Sequence, residues 1–236
     1  MDPGFVHDRT RLSKASLPRR QQPAPALAAE MNRPEILSRL DSLSDERRWI
    51  VAIAGPPGAG KSAFADDAAE FLNRSSTARA QVLPMDGFHF DDELLTTMGR
   101  LPRKGAPDTF DIDGLSHVLM RLSGVPARDV VVPVFDRRLE IARAGARVIR
   151  ATTSVVLVEG NYLLCRDAPW SVLHRFFDLT IMIEVQDPEL RRRLRDRWFG
   201  YGQDADEIRR KLDENDIPNA RHVKRTSVKA DLIYRQ

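Results

Sequence analysis

The stretch Gly55-Pro56-Pro57-Gly58-Ala59-Gly60-Lys61-Ser62, set directly behind the apolar run Trp49 to Ala54, constrains this chain more than any other feature. It fits the pattern GxxxxGK[ST]. In that pattern glycines let successive backbone N–H groups turn inward around phosphate oxygens, the lysine reaches the β and γ oxygens, and the serine or threonine hydroxyl ligates Mg²⁺. A helix opening at this point adds the partial positive charge of its N-terminus. The residues that follow supply such a helix, because Phe64, Ala68, Phe71 and Leu72 recur at helical spacing in an alanine-rich segment. The expected cradle for a nucleotide is Gly55, Pro56, Pro57, Gly58, Ala59, Gly60, Lys61, Ser62 and Ala63.

Beyond the loop, short apolar runs alternate with amphipathic helical patterns. Strands are expected near residues 49–54, 81–85, 154–158, 179–184 and 231–234. Strands separated by helices predict an α/β fold, a P-loop NTPase-type three-layer sandwich whose mostly parallel, five-stranded sheet carries helices on both faces. Function in such sheets collects at the carboxyl ends of the strands. Two strands end on carboxylates there, Asp86 before Gly87-Phe88-His89-Phe90 and Glu159 before Gly160-Asn161-Tyr162. A carboxylate opposite a phosphate loop can hold Mg²⁺, or it can take the proton of a hydroxyl attacking the γ-phosphorus. Glu159, with Ser62, is assigned to the metal and Asp86 to the proton. A helix cap or turn role is the alternative for each. Asp91 and Asp92 precede Leu94 and Leu95 and read as helix-start acids outside the site.

Composition narrows the partners. The 37 basic and 34 acidic residues leave a net charge of +3, a mixed balance without the one-sided excess or aromatic interleaving of a nucleic-acid binder. Small anionic substrates suit it better. A single cysteine, Cys165, excludes an intrachain disulfide and a multi-cysteine metal site. No apolar run approaches the roughly 18 residues of a membrane span, and no secretory segment is visible. A cytoplasmic, membrane-free monomer or homodimer is expected. Residues 1–30 hold Pro3, Pro18, Pro23 and Pro25, the pair Arg19 and Arg20, and no apolar periodicity, so they read as a disordered extension before a single domain over 31–236. Ile36, Leu37, Leu40 and Leu43 share the face of that domain's first helix. Residues 129–150 alternate as a two-stranded flap, with Val130 to Val134 pairing Ala146 to Ile149 across a turn near Ala144 and Gly145.

Taken in order, GPPGAGKS, MDGFHFDDELL, GAPDTFD, PVFDRR, VVLVEGNYLL, RRRLRDRW and NDIPN resemble the phosphoribulokinase, uridine kinase and bacterial pantothenate kinase group of P-loop kinases. Within it the likeness is greatest to the fructose transport system kinase-like branch, over about residues 33–236. The resemblance implies ATP-dependent, Mg²⁺-assisted phosphorylation of a hydroxyl on a small molecule. It places the catalytic base on Asp86 and puts His89 and Asp111 beside the acceptor. Phe135, Asp136 and Arg137 resemble the PxYD segment that lines the uridine kinase acceptor pocket, with Phe135 in place of tyrosine; Asn161 and Tyr162 are further acceptor candidates. Residues 187–204 resemble the arginine-rich lid, one residue shorter around Leu194 than in uridine kinase, and Arg193 with Arg197 share a helix face there as the expected phosphoryl clamp. Asn219, in the last motif, would approach the adenine. The expected acceptor is a sugar or sugar-like metabolite. A nucleoside, pantothenate, or a P-loop switch that phosphorylates nothing are the alternatives.

Overall fold

The computed structural model describes residues 28–74 and 79–236. The extension expected over residues 1–27 lies outside the described residues, and the last part of that expectation is corrected: Ala29–Glu30 pair with the sheet as a short first strand, β1. In chain order there follow α1 (Arg33–Asp41), β2 (Trp49–Ala54), α2 (Lys61–Leu72), β3 (Ala80–Pro84), α3 (Asp92–Thr97) and α4 (Ile112–Leu122). Next come β4 (Val130–Asp136), β5 (Ile141–Ile149), β6 (Val155–Gly160), β7 (Leu179–Glu184) and α5 (Asp187–Gly200). The chain closes with α6 (Ala205–Lys211), a π-helical turn at Leu212–Asp216, α7 (Ile217–Thr226) and β8 (Leu232–Arg235).

The main sheet runs in the order β1-β8-β7-β2-β6-β3 with every pair parallel. It has six strands, one more than the sequence pattern implies, because a two-residue edge strand is too short to show any periodicity. Strand alternation sends successive side chains to opposite faces. On β2, Ile50, Ala52 and Ala54 face one apolar cluster with Leu115, Leu119 and Leu122 of α4, while Val51 and Ile53 face another with Ile36 and Leu40 of α1 and Phe64, Ala65, Ala68 and Leu72 of α2. On β6, Val156 and Val158 join the first cluster, Val155 and Leu157 the second. These double-sided strands have no polar face to show water. Their burial is the main force that fixes the register, since a slip of one residue would exchange the two faces.

Parallel strands point all their carboxyl ends one way, so the loops after β2, β3 and β6 open on the same edge. The flap, β4 paired antiparallel with β5, stands over that edge. Gly87 explains how close it comes. A Cβ at that position would stand 2.6 Å from the Pro133 carbonyl oxygen, so only glycine lets the flap strand lie on the turn that carries Asp86. The expected flap turn at Ala144 and Gly145 is corrected. Val130 does pair Ile149, but the turn is Arg137 to Glu140, and Gly145, at φ +68°, lies in β5 where the register shifts between Val132 and Val134. A glycine at positive φ serves a bulge as well as a turn, and sequence spacing does not separate the two.

Candidate active site

The phosphate loop begins where β2 ends. Gly58 and Gly60 have φ of +79° and +83°, and Gly60 is the N-cap of α2. A Cβ on Gly58 would stand 2.9 Å from Leu194 Cγ, so α5 packs directly on the loop. Lys61 is buried, and its ammonium donates to the Pro56 carbonyl at 3.0 Å, folding the side chain back over the loop. Burial lowers its pKa to about 8, against the opposing pull of the Glu159 and Asp86 charges. Ser62 donates from Oγ to Glu159 Oε1 at 3.1 Å. Burial, with the Asp86 charge, pushes Glu159 up to about 7.

Glu159 sits within β6, in register with Ile53 of β2 and Pro84 of β3, so it rises between the loop's strand and the strand that delivers Asp86. It is part of the strand, where sequence spacing placed it just after the strand's end. Asp86 occupies a single-turn 3₁₀ segment, Met85–Phe88, that carries the chain away from β3. Its carboxylate pairs with Arg137 from the flap turn. His89 donates from Nδ1 to the Asp86 carbonyl at 2.9 Å, and its ring lies 4.1 Å from Phe110 and 4.9 Å from Phe135. Burial lowers the His89 pKa. The structure thus gathers Lys61, Ser62, Glu159, Asp86, His89, Phe135 and Arg137 at one sheet edge, with half-buried Asn161 just beyond β6.

Arg193 and Arg197 of α5 face this edge. Arg193 donates from Nε to Glu189 at 2.7 Å and from a terminal nitrogen to Gln236 Oε1 at 2.8 Å, and that nitrogen is 3.8 Å from where a Cβ of Gly60 would lie. The Arg197 guanidinium is 3.6 Å from Asp216, and its charge is felt at Lys61. Arg191, Arg192 and Arg195 pair instead with Asp213, Glu189 and Asp196 on the outer surface. Exposed pairs of that kind add little stability.

Four of the expected contact residues have partners within the protein. Tyr162 is fully buried and its hydroxyl donates to the Gly105 carbonyl at 2.6 Å, so it braces that loop. Asp111 caps α4 by accepting from the Gly114 N–H at 2.8 Å. Asp136 accepts from the Arg138 and Leu139 N–H groups at 3.1 and 3.2 Å and faces Arg143 at 3.4 Å, which braces the hairpin turn. Asn219 is buried against residues 103–105. Asp91 and Asp92 start α3 as expected. Two groups escaped the sequence reading. Lys104 donates to the Glu140 carbonyl of the flap turn at 2.7 Å, and Gln236 reaches the phosphate loop through Arg193. Neither belongs to a motif, and only the fold brings them there.

The donors around Ser62 and Glu159 are oxygens, hydroxyl and carboxylate, which suits a hard cation such as Mg²⁺. Among the described residues no cluster of three His, Cys, Asp or Glu could hold a metal by itself.

A crystal structure from Silicibacter sp. TM1040, of a protein provisionally named a fructose transport system kinase, matches this fold with a TM-score of 0.79 at 37% identity, over 86% of this chain and 98% of that one. The uncharacterized protein YggC of Escherichia coli (strain K12) is 33% identical over 199 residues, 84% of this chain and 82% of its own. A Schizosaccharomyces pombe protein provisionally named uridine kinase C227.14 is 26% identical over 224 residues, 89% of this chain and 95% of its own. A scan against protein-family profiles finds no match. Fold, loop and relatives together define an ATP-binding phosphotransferase with an alcohol group as acceptor. The chain belongs to the phosphoribulokinase, uridine kinase and pantothenate kinase group of P-loop kinases, in its fructose transport system kinase-like branch. No helix among the described residues is long and apolar enough to cross a membrane.

Proposed function

We propose that this kinase transfers the γ-phosphoryl group of ATP to a hydroxyl of a sugar or sugar-like metabolite, with Asp86 as general base. The observation that carries this reading is the placement of the Asp86 carboxylate at the end of β3, beside Lys61 and Glu159 and beneath the flap strand that touches Gly87. As the acceptor oxygen bonds to the γ-phosphorus its proton passes to Asp86, and ADP leaves with the electrons of the broken P–O bond. Lys61 holds phosphate oxygens. Arg193 and Arg197 offset charge on the transferred group, a task suited to guanidinium forks. Ser62 and Glu159 would hold Mg²⁺, which supplies charge neutralisation at the phosphates.

Arg137 pairs with the Asp86 carboxylate. An acceptor hydroxyl competes for that carboxylate and leaves Arg137 free to donate to a neighbouring acceptor oxygen. Supporting a polyol are His89 and Arg137 beside the Phe135 ring, the Asp86 carboxylate paired with Arg137, and the 37% identical structure named for a fructose system. ADP release measured against fructose and other sugars, nucleosides, pantothenate and glycerate tests the reading. Stimulation by a sugar supports it. Stimulation by a nucleoside or pantothenate alone overturns the acceptor class, and acceptor-independent hydrolysis alone favours a nucleotide-driven switch.

A further inference from the structure

The Asn215-Asp216-Ile217-Pro218-Asn219 motif makes its side-chain contacts with residues 103–105 and with α5. Asn219, 3% exposed, donates from Nδ2 to the Gly105 carbonyl at 3.3 Å and to Asn215 Oδ1 at 3.1 Å, and accepts from Arg103 at 3.3 Å. Asn215 donates to the Lys104 carbonyl at 2.8 Å, and Arg103 donates to the Glu214 carbonyl. Three consecutive residues, 103 to 105, are therefore tied to the π-helical turn and the start of α7. From the other side Lys104 reaches the acceptor flap, donating to the Glu140 carbonyl and pairing with Asp92 of α3. Glu140 holds φ +55°, an unfavourable conformation for a residue with a side chain, at the position this lysine grips. The motif also meets the lid. Buried Asp216 accepts from Trp198 Nε1 at 2.6 Å and faces Arg197 at 3.6 Å.

We propose that Asn215 and Asn219 are positioning residues for the phosphoryl acceptor. They hold the 103–107 loop at the height where Lys104 keeps the flap turn over Asp86, and through Asp216 they tie that loop to the lid. The proposal rests on the reading of the flap as the cover of the acceptor site. Its consequence is specific: loss of either amide loosens the acceptor side of the site and leaves the phosphate loop intact. A π-helical turn at this junction agrees with such a role, since these turns recur at functional positions.

The test uses the full chain with Asn219→Ala and, because Asn215 is only half-buried and its loss disturbs packing less, Asn215→Ala. Endoproteinase Lys-C cleavage at the Lys104–Gly105 bond, followed by mass spectrometry, reads the loop directly; cutting about tenfold faster in the variants is expected, because each loses a hydrogen bond that holds the loop closed. A fluorescent ATP analogue should bind within about twofold of wild type, and the KM for the stimulating acceptor should rise about tenfold with kcat much less changed. Unchanged Lys-C cutting together with weakened analogue binding would overturn the proposal in favour of an adenine contact. An unchanged acceptor KM with faster cutting would also overturn it, by showing that the loop does not govern the flap. If no acceptor stimulates the wild-type protein, the proposed function fails separately, and the protease and analogue measurements still decide whether these asparagines tether the loop or meet the nucleotide.

Discussion

The two halves of this site are built in different ways. The nucleotide half comes from one contiguous segment, residues 55–63, fixed by β2 on one side and α2 on the other. The acceptor half, as proposed, draws on segments far apart in the chain that touch one another: Asp86 to His89, the 103–107 loop, the flap turn at Arg137 to Glu140, and the Asn215 and Asn219 pair. A contiguous segment carries its geometry in residue types and spacing. An assembled one depends on which loops the sheet brings together, and its variation is what lets a shared phosphoryl-transfer apparatus serve different acceptors.

The largest effect should come where the halves meet. Asp86→Asn keeps the shape of the side chain and removes its basicity, so turnover should fall about 10²- to 10⁴-fold while ATP binding stays near normal. Steady-state kinetics beside a nucleotide titration separate the two, and an unchanged rate would remove Asp86 from the role. On the nucleotide side, Lys61→Ala should weaken both ATP affinity and turnover, each by about tenfold to a hundredfold, because charged hydrogen bonds to phosphate act in ground and transition states alike. ATP affinity that survives this change would detach the loop from nucleotide binding.

Glycines separate local from assembled geometry more finely. Gly58→Ala meets both a positive φ and Leu194 Cγ at 2.9 Å, whereas Gly99→Ala meets a positive φ with nothing within 4 Å. Each should lose about 1–2 kcal/mol from backbone strain in thermal unfolding. Only Gly58→Ala should show an added loss and weaker ATP binding; equal losses would mean that the lid does not rest on the loop.

The smallest expected effect is a pH dependence on the acceptor side. Burial holds His89 below its ordinary value of 6.5, so near and below that pH the unfolded chain binds a proton that the folded chain resists. Folding stability should therefore fall as pH drops through and below about 6.5. Half-buried His174 acts in the same direction. Thermal midpoints of His89→Gln and His174→Gln, compared with wild type across that range, should each show a shallower acid slope, and parallel slopes for His89→Gln and wild type would contradict the burial argument.

The same contrast explains what could be read before the fold was known. The double-sided apolar strands, the loop glycines and the acids at strand ends are local patterns, and they led to the sheet, to Lys61 and Ser62, and to Asp86 and Glu159. Tyr162, Asp111, Asp136 and Asn219 were legible as polar groups near the site, but not as groups already satisfied by partners up to 114 residues away. Polar residues in a loop look alike in sequence whether they await a ligand or brace a backbone carbonyl. Burial decides between these roles, and burial is a property of the assembled chain.

One single-turnover experiment reaches the central claim. With ATP labelled at the γ-phosphorus and the stimulating sugar present, wild type should place the label on the sugar, and Asp86→Asn should slow that transfer by about 10² or more with nucleotide still bound. Label appearing only as inorganic phosphate, or transfer to sugar at an equal rate in both proteins, would contradict the account.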